Sequence, residues 1–334
     1  GDWSSDVCSS DLSQIGIRED LSDAIYDISP METPFMSTCR RGAKAKNRFI
    51  EWQKDALAAA TVVGSFAYEG EDAAYQTATP TSRLRNYTQI NVKAIIVSGT
   101  ANAVTTAGRE EELAYQIAKR SKEMKRDMEK QLTGNLASSA GTASTGRRSA
   151  GFEAWITTNS VYGGTAGATD GADGGFTAAG TVTAATDGSS SNLVTFTEAR
   201  LKSVIALCWA AGGQPTTLMV GPWNKRVVSG FTGITTKYSE FGNPGSSKGL
   251  AIVAAADIYL SDFGKLQVVP NRFSRDRTAL LIDWEYWSMH YLRPFNVTPM
   301  AKTGDAEKRQ LLAEWTLCSK NEAASGKFAD LRTS

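Results

Sequence analysis

The stretch that decides the fold runs from Glu110 to Gly134 and reads EEELAYQIAKRSKEMKRDMEKQLTG. Apolar side chains recur in it at spacings of four and seven residues, the period of one helix face. They are Leu113, Ile117, Met124, Met128 and Leu132. Three glutamates in the first turn favour the helix dipole, and Gly134 is a natural end. We predict one helix over residues 107–133, roughly 40 Å long, lying as a spine across a domain.

The segment before this helix predicts a long β excursion over residues 51–98, with a turn at Thr79-Pro80-Thr81. Its last part, residues 86–98, alternates between apolar and polar side chains, which predicts a strand with one buried face. The apolar face consists of Ile90, Val92, Ala94 and Ile96, and the opposite face of Gln89, Asn91 and Lys93. Few large apolar residues lie nearby in the sequence to cover the apolar face, so we expect it to rest on something outside its own local sequence.

Charge and hydropathy exclude several classes of protein. The chain of 334 residues has 36 Lys+Arg, 35 Asp+Glu and one His, a net charge of +1, which gives no global electrostatic reason to bind nucleic acid or a membrane surface. Its longest uninterrupted apolar run, residues 250–256, is far shorter than the roughly 20 residues that span a bilayer, so no membrane partner is expected. A single His excludes His-rich metal sites.

Two local charge clusters are candidate contact residues. The basic cluster is Arg40, Arg41, Lys44, Lys46 and Arg48. It is either a solvated lead-in to a strand, or a contact to DNA phosphates or to the acids of a neighbour. The acidic cluster is Glu69, Glu71 and Asp72. It lacks the spacing of a calcium loop and is interpreted as a solvated turn that pairs with bases on another subunit.

The second half of the chain changes character at residue 195. Residues 157–194 are rich in Gly, Ala, Ser and Thr and predict a flexible insertion or a weak hairpin. From Thr195 to Glu198 a capping-box pattern opens a helix, and Gly212-Gly213 end it. A buried strand at 217–220, a short helix at 222–228 and several later strands predict a compact α/β region.

The first twelve residues need separate treatment. Residues 2–12, DWSSDVCSSDL, look like the translation of a short-read sequencing adapter, so residues 1–12 are excluded from fold reasoning. A short helix is expected at residues 18–26. Outside the adapter the cysteines are Cys39, Cys208 and Cys318. Three widely separated cysteines predict neither a disulfide framework nor a zinc site, and we expect buried, reduced thiols.

Catalytic motifs are weak. Gly245-Ser246-Ser247-Lys248-Gly249 satisfies the G-x-S-x-G pattern of a serine hydrolase, but a loop precedes it and a strand follows, the wrong context for a nucleophile elbow. His290 alternates with aromatic residues in a strand and is expected to be a packed or hydrogen-bonded side chain. No pattern predicts a cofactor, a metal site or an enzyme.

Longer blocks of sequence resemble a known family. They are Arg18-Glu19-Asp20-Leu21-Ser22-Asp23, Thr33-Pro34-Phe35-Met36, Glu51-Trp52-Gln53-Lys54-Asp55-Ala56-Leu57, Pro270-Asn271-Arg272-Phe273, Tyr291-Leu292-Arg293-Pro294-Phe295 and Lys302-Thr303-Gly304-Asp305-Ala306-Glu307-Lys308-Arg309. Taken in order, these blocks resemble the major head (major capsid) proteins of tailed phages, which have the Hong Kong 97 phage-type capsid fold.

The resemblance implies an α+β fold with five parts. These are an N-terminal arm at 13–50, an extended β loop at 51–98, a spine helix with part of the peripheral domain at 99–156, an axial domain at 195–275, and strands returning to the peripheral domain with a C-terminal tail at 276–334. Residues 157–194 form the insertion between the peripheral and axial parts.

The implied function is structural. Copies of the chain are expected to exchange arms and loops, to form hexamers and pentamers, and to build an icosahedral virion head around double-stranded DNA, which lies against the inner face. Scaffolding and portal proteins are the further partners implied, and assembly would take place in the host cytoplasm. The alternatives are a virion decoration or tail binding module and, more remotely, a hydrolase using Ser247.

Overall fold

The structure is a computed structural model, and it describes residues 31–58, 60, 69–70, 72, 75, 77–104, 111–163, 171–231 and 258–333. The adapter-like residues 1–12, the helix expected at 18–26, Glu71 and Ser247 lie outside the described residues.

Six α-helices and fourteen strands are assigned within the described residues. The helices are α1 (Pro34–Thr38), α2 (Gly99–Ala103), α3 (Glu112–Thr133), α4 (Phe152–Trp155), α5 (Glu198–Ala210) and α6 (Pro222–Val228). The strands are β1 (Arg40–Arg41), β2 (Phe49–Lys54), β3 (Ser82–Tyr87), β4 (Gln89–Ser98), β5 (Ser160–Val161), β6 (Gly175–Phe176), β7 (Val182–Thr183), β8 (Thr217–Val220), β9 (Ile258–Ser261), β10 (Gly264–Pro270), β11 (Ala279–Ile282), β12 (Trp287–Pro299), β13 (Ala306–Ser319) and β14 (Gly326–Phe328).

The spine helix α3 packs on a four-stranded sheet with the order β1-β12-β13-β4. Met124, Met128 and Leu132 are fully buried against the sheet, as the helical period predicted. The helix ends at Gly134, also as predicted. Strands β12 and β13 form a long antiparallel hairpin, and β4 pairs with β13 from Gln89↔Trp315 to Ser98↔Ala306. The helix therefore closes one face of this sheet.

Strand β4 confirms the period of two, but within the chain the polar face is the buried one. Gln89 and Asn91 lie under the helix together with Ile95 and Val97, and Asn91 is hydrogen bonded to Gln131 and to the Nε1–H of Trp315. The sequence pattern placed the polar residues opposite the buried face. That prediction is wrong because the helix and Trp315 supply partners for the buried amides, which removes the cost of burying them.

The second core lies in a six-stranded sheet with the order β5-β14-β11-β8-β10-β9. Helix α5 packs closely on β14. The contact leaves no room for a side chain at Gly326, since a Cβ there would lie 2.4 Å from Val204 Cγ1. The helix N-cap is Thr197, whose hydroxyl accepts from the Arg200 N–H, and not Thr195 as the capping-box pattern predicted. The two positions give the same helix start within two residues.

Two of the expected boundaries differ from the sheet topology. Strand β4 was placed in the extended loop 51–98 but belongs to the four-stranded sheet, while β2 and β3 form the hairpin of that loop. Strands β11 and β14 were placed with the peripheral strands of 276–334 but lie in the six-stranded sheet. Both differences arise because one chain segment crosses between sheets, which local sequence patterns do not record.

The predicted insertion 157–194 is folded onto the rest of the chain in its described part. Val182 is buried, and its N–H donates to the hydroxyl of Ser138. The carboxylate of Asp330 accepts from the N–H groups of Gly171 and Gly188. The weak hairpin that the sequence predicts is present as β6 and β7. The flexibility that low complexity predicts is not seen in the described part, because hydrogen bonds fasten it to the rest of the chain.

The three described cysteines are free and buried, as expected from their spacing. Burial raises the pKa of each of the thiols of Cys39, Cys208 and Cys318 to about 12. A thiol with so high a pKa holds almost no thiolate near neutral pH, and the thiolate is the reactive species.

We therefore expect the native full-length chain carrying Cys8→Ser to show no fast reaction with a thiol reagent such as DTNB at pH 8. In guanidinium chloride all three thiols should react at once. Absorbance of the released thiolate measures both states, and a thiol that reacts within the mixing time in native buffer would contradict the packing described above.

Candidate assembly surfaces

A buried carboxylate fastens three parts of the chain at one point. Glu129 on α3 is fully buried. Its carboxylate accepts from the N–H of Phe35 at 2.7 Å and of Met36 at 2.8 Å, and from Asn271 Nδ2 at 2.6 Å. These donors belong to the first turn of α1 in the arm and to the loop after β10. The arm, the spine helix and the six-stranded sheet are thus connected through one side chain.

Because of this contact, the arm predicted at 13–50 contributes side chains to the chain's own core, beginning with Phe35. The Phe35 ring packs edge-on against Phe152 and Trp284, and Cys39 and Ala45 are also buried. The part of the arm available for the expected exchange between subunits therefore lies before Phe35.

The groups that shift the pKa of Glu129 include hydrogen-bond donors but no cation. Burial raises the pKa of this carboxyl above its usual 4.5, although the three donors act in the opposite direction. Sequence reasoning missed Glu129. The available signal was an acid next to Met128 within the apolar stripe, where a charged residue needs buried donors.

The apolar face of β4 is open to solvent in the isolated chain. Ile90, Val92 and Ile96 are 42%, 45% and 65% exposed. They lie on the side of the sheet that faces away from α3, on a strand at the edge of that sheet. An apolar row on an edge strand is a ready surface for another chain.

An ion-pair cluster occupies one end of this face. Glu314, the register partner of Ile90 on β13, is buried between Arg147 at 2.6 Å and Arg293 at 2.8 Å and also accepts from the Thr88 hydroxyl. The open part of the apolar row therefore runs from Val92 to Ile96, away from this ion-pair cluster.

The hairpin of the extended loop carries further exposed apolar side chains. Leu57 is 99% and Tyr75 100% exposed. Two of the predicted acidic contact residues, Glu69 and Asp72, are exposed on the same loop. The third, Glu71, lies outside the described residues. The structure leaves these predicted inter-subunit contacts as predictions.

All five residues of the basic cluster are exposed. Arg40 and Arg41 lie in β1, which pairs with β12, and Lys44, Lys46 and Arg48 follow on the way to β2. The Arg41 guanidinium lies 4.9 Å from the centre of the Tyr291 ring. Within the described part of the chain no member of the cluster forms an ion pair, so the charges face solvent or a partner.

The remaining sequence candidates are settled by local contacts. His290 hydrogen bonds through Nδ1 to the Ala43 carbonyl and through Nε2 to the Ser288 hydroxyl, which confirms a structural histidine. Within the described ranges no group of three His, Cys, Asp or Glu side chains is placed to hold a metal ion. Among the helices of those ranges, none combines the length and the hydropathy that a transmembrane span requires.

Comparison with known proteins identifies the family. The profile of the family described as SU10 major capsid protein matches residues 8–332. This chain belongs to that family. The major capsid protein of Escherichia phage Phieco32 is 29% identical over 346 residues, covering 94% of each chain.

Solved structures show the same fold. A chain of the cyanophage A-1(L) capsid asymmetric unit superimposes with a TM-score of 0.62 at 12% identity, covering 94% of this chain and 97% of the other. A chain from Mycobacterium phage Cain gives 0.57 at 12% identity, covering 95% and 96%.

These findings confirm a tailed-phage major capsid protein with the α+β, Hong Kong 97-like fold. Such a protein is a structural component of the virion capsid and associates with copies of itself. The family match favours a major capsid protein over a virion decoration or tail module. The matched family is named for a structural role, and this does not support the hydrolase alternative.

Removing the Glu129 carboxylate should loosen the arm. Glu129→Ala leaves two backbone N–H groups and the Asn271 amide without a partner, so we expect a loss of roughly 3–5 kcal/mol in the free energy of unfolding. The matched control is Glu123→Ala on the same helix, which removes a partly exposed ion pair with Arg120 and should cost less than about 1 kcal/mol. Denaturant unfolding measures both, and equal losses would contradict the proposed fastening.

The raised pKa of Glu129 also sets a pH dependence. The unfolded chain releases this proton near pH 4.5 and the folded chain only at higher pH, so the folded state binds the proton more tightly. The stability that this group contributes is complete below pH 4.5 and is lost as the pH rises through the folded-state pKa. Stability of the wild type relative to Glu129→Gln should therefore fall as the pH rises above 4.5 and through the folded-state pKa of Glu129, and a rise would contradict the assignment.

Proposed function

We propose that this chain forms hexamers and pentamers that tile an icosahedral head around double-stranded DNA, through exchange of arms and loops between subunits. The observation that carries the proposal is the open apolar row of β4, which the chain itself leaves uncovered although it buries polar residues on the other face of the same strand.

The distribution of exposed apolar residues supports assembly through several surfaces. They include the row on edge strand β4, Leu57 and Tyr75 of the extended loop, Met31 where the described arm begins, and further positions such as Trp209 and Phe263 on the six-stranded-sheet side. Obligate interfaces bury thousands of Å² and are more apolar than ordinary surfaces. Several small apolar patches on separate elements fit a subunit that contacts several neighbours.

The five-residue basic cluster supports contact with an anionic partner. Its charges are exposed and have no ion pair within the described residues, while the net charge of the chain is only +1. DNA phosphates on the inner face of the head and the acidic loop residues Glu69, Glu71 and Asp72 of a neighbour both fit this cluster. Scaffolding and portal proteins, and assembly in the host cytoplasm, belong to the same proposal by family resemblance.

The test is a double substitution on the open part of the row. Val92→Lys/Ile96→Lys places two charges on exposed positions of an edge strand, so the subunit should fold and melt as the wild type does, yet form no shells. Size-exclusion chromatography with light scattering and electron microscopy measure the particles, and thermal unfolding measures the fold.

Two further variants sharpen the test. Lys93→Gln removes an ion pair with Asp127 from the opposite face of the same strand and should assemble normally. Val92→Thr/Ile96→Thr keeps strand propensity with less apolar surface and should assemble at higher protein concentration only. Normal shells from the double-lysine variant, with a normal melting transition, would refute the role of this row.

A further inference from the structure

The spine helix carries a row of basic side chains that the assembly surfaces described above do not use. Lys119, Lys122, Arg126 and Lys130 recur at spacings of three and four residues, which places them on one face of α3. Two acids of the helix form ion pairs with other bases, Asp127 with Lys93 and Glu123 with Arg120. Within the described residues, none of the four bases forms an ion pair.

This row ends in a cleft of about 710 Å³ between the end of α3 and the loop after β10. Its lining includes Lys130, Leu136, Arg272, Phe273 and Ser274, together with Asp187, whose charge is offset by an ion pair with Arg275. Arg126, one turn before Lys130, lies over the Phe273 ring at 5.5 Å. The cleft thus continues the basic row with two cations, Lys130 and Arg272, and adds an apolar side.

One polar group in the cleft lacks a partner. Ser274 is only 7% exposed, and its hydroxyl has no hydrogen-bond partner among the described residues. A buried hydroxyl without a partner costs free energy. Two unpaired cations and an unpaired hydroxyl around one cleft indicate a ligand with acidic groups.

A segment of this same chain has the matching chemistry. Residues 18–27 contain one base, Arg18, and four acids, Glu19, Asp20, Asp23 and Asp27, so their net charge is 1 − 4 = −3. The acids at 20, 23 and 27 recur at the spacing of one helix face, and Leu21 and Ile25 supply apolar side chains at a spacing of four residues. The segment therefore offers an acidic and an apolar side together, as the cleft requires.

The described chain begins next to the cleft. Phe35 donates to Glu129, the residue before Lys130, and Asn271, the residue before Arg272, donates to the same carboxylate. The eight residues from Asp27 to Phe35 reach at most about 26–29 Å. The basic row spans eleven helical steps from Lys119 to Lys130, about 16 Å, and ten residues would span about 15 Å if helical, so length and reach both fit.

We propose that, in the subunit before assembly, residues 18–27 of the same chain dock along the basic row and in this cleft. The proposal deepens the proposed arm exchange, on which its link to assembly rests. Exchange of an identical element between copies uses a site that each copy already carries. A neighbour's arm would then replace the chain's own arm by making the same contacts.

Proteolysis of the arm tests the docking in full-length protein kept unassembled by Val92→Lys/Ile96→Lys. Chymotrypsin cleavage after Tyr26, followed by mass spectrometry, reports access to the segment. We expect the additional substitutions Lys130→Glu/Arg272→Glu to speed cleavage by about tenfold or more, because cleavage follows the undocked fraction. Reversing the partner charges as well, with Asp20→Lys/Asp23→Lys, should restore slow cleavage.

The matched control is Lys125→Glu/Lys265→Glu, which makes the same charge change at exposed positions outside the cleft and should leave cleavage at the parent rate. Equal cleavage of the parent and the cleft variant would overturn the proposal, and binding of a short fluorescent DNA duplex to the parent alone would then identify the row as a DNA contact. Protection that disappears on dilution would also overturn it, in favour of a second copy. Light scattering of the same samples reports assembly separately, so failure of the proposed function and failure of the docking are distinguishable.

Discussion

The contact on which the rest of the structure depends is the burial of the Glu129 carboxylate between the arm and the six-stranded sheet. Three donors from two distant segments meet on one side chain of the spine helix. A buried carboxylate tolerates no nearby alternative arrangement, because each unpaired donor or acceptor costs about 1–3 kcal/mol. The contact therefore fixes where the arm leaves the body, and with it the direction in which the residues before Phe35 can reach.

The two large sheets present different surfaces, and the subunit contains two hydrophobic clusters. The four-stranded sheet is covered by α3 on one face and leaves an apolar row on the other, whereas the six-stranded sheet has its own core around α5. Strands β11 and β14 come from the C-terminal part of the chain yet complete the six-stranded sheet. Since the chain passes between the sheets more than once, the two parts are tied by covalent crossings as well as by packing.

Much of this was predictable from local patterns. The spine helix, the strand at Thr217–Val220, the helix at Pro222–Val228 and the buried thiols followed from periodicity, turn residues and cysteine spacing, because each is decided within a few neighbouring residues. The buried face of β4 was not, since alternation fixes two faces but does not say which one the helix will cover. Glu129 and the bonded insertion were also missed, because their partners lie 94 and up to 159 residues away along the chain. The predicted inter-subunit residues depend on surfaces that belong to other copies, and they remain predictions.

The burial of the three thiols determines how the particle responds to oxidants. With Cys39, Cys208 and Cys318 buried in the interior, oxidants in the medium find no accessible thiol in the described part of the subunit. Disulfides through these three cysteines therefore do not hold subunits together, so a shell built from this chain should be equally strong in a reducing and in an aerated solution.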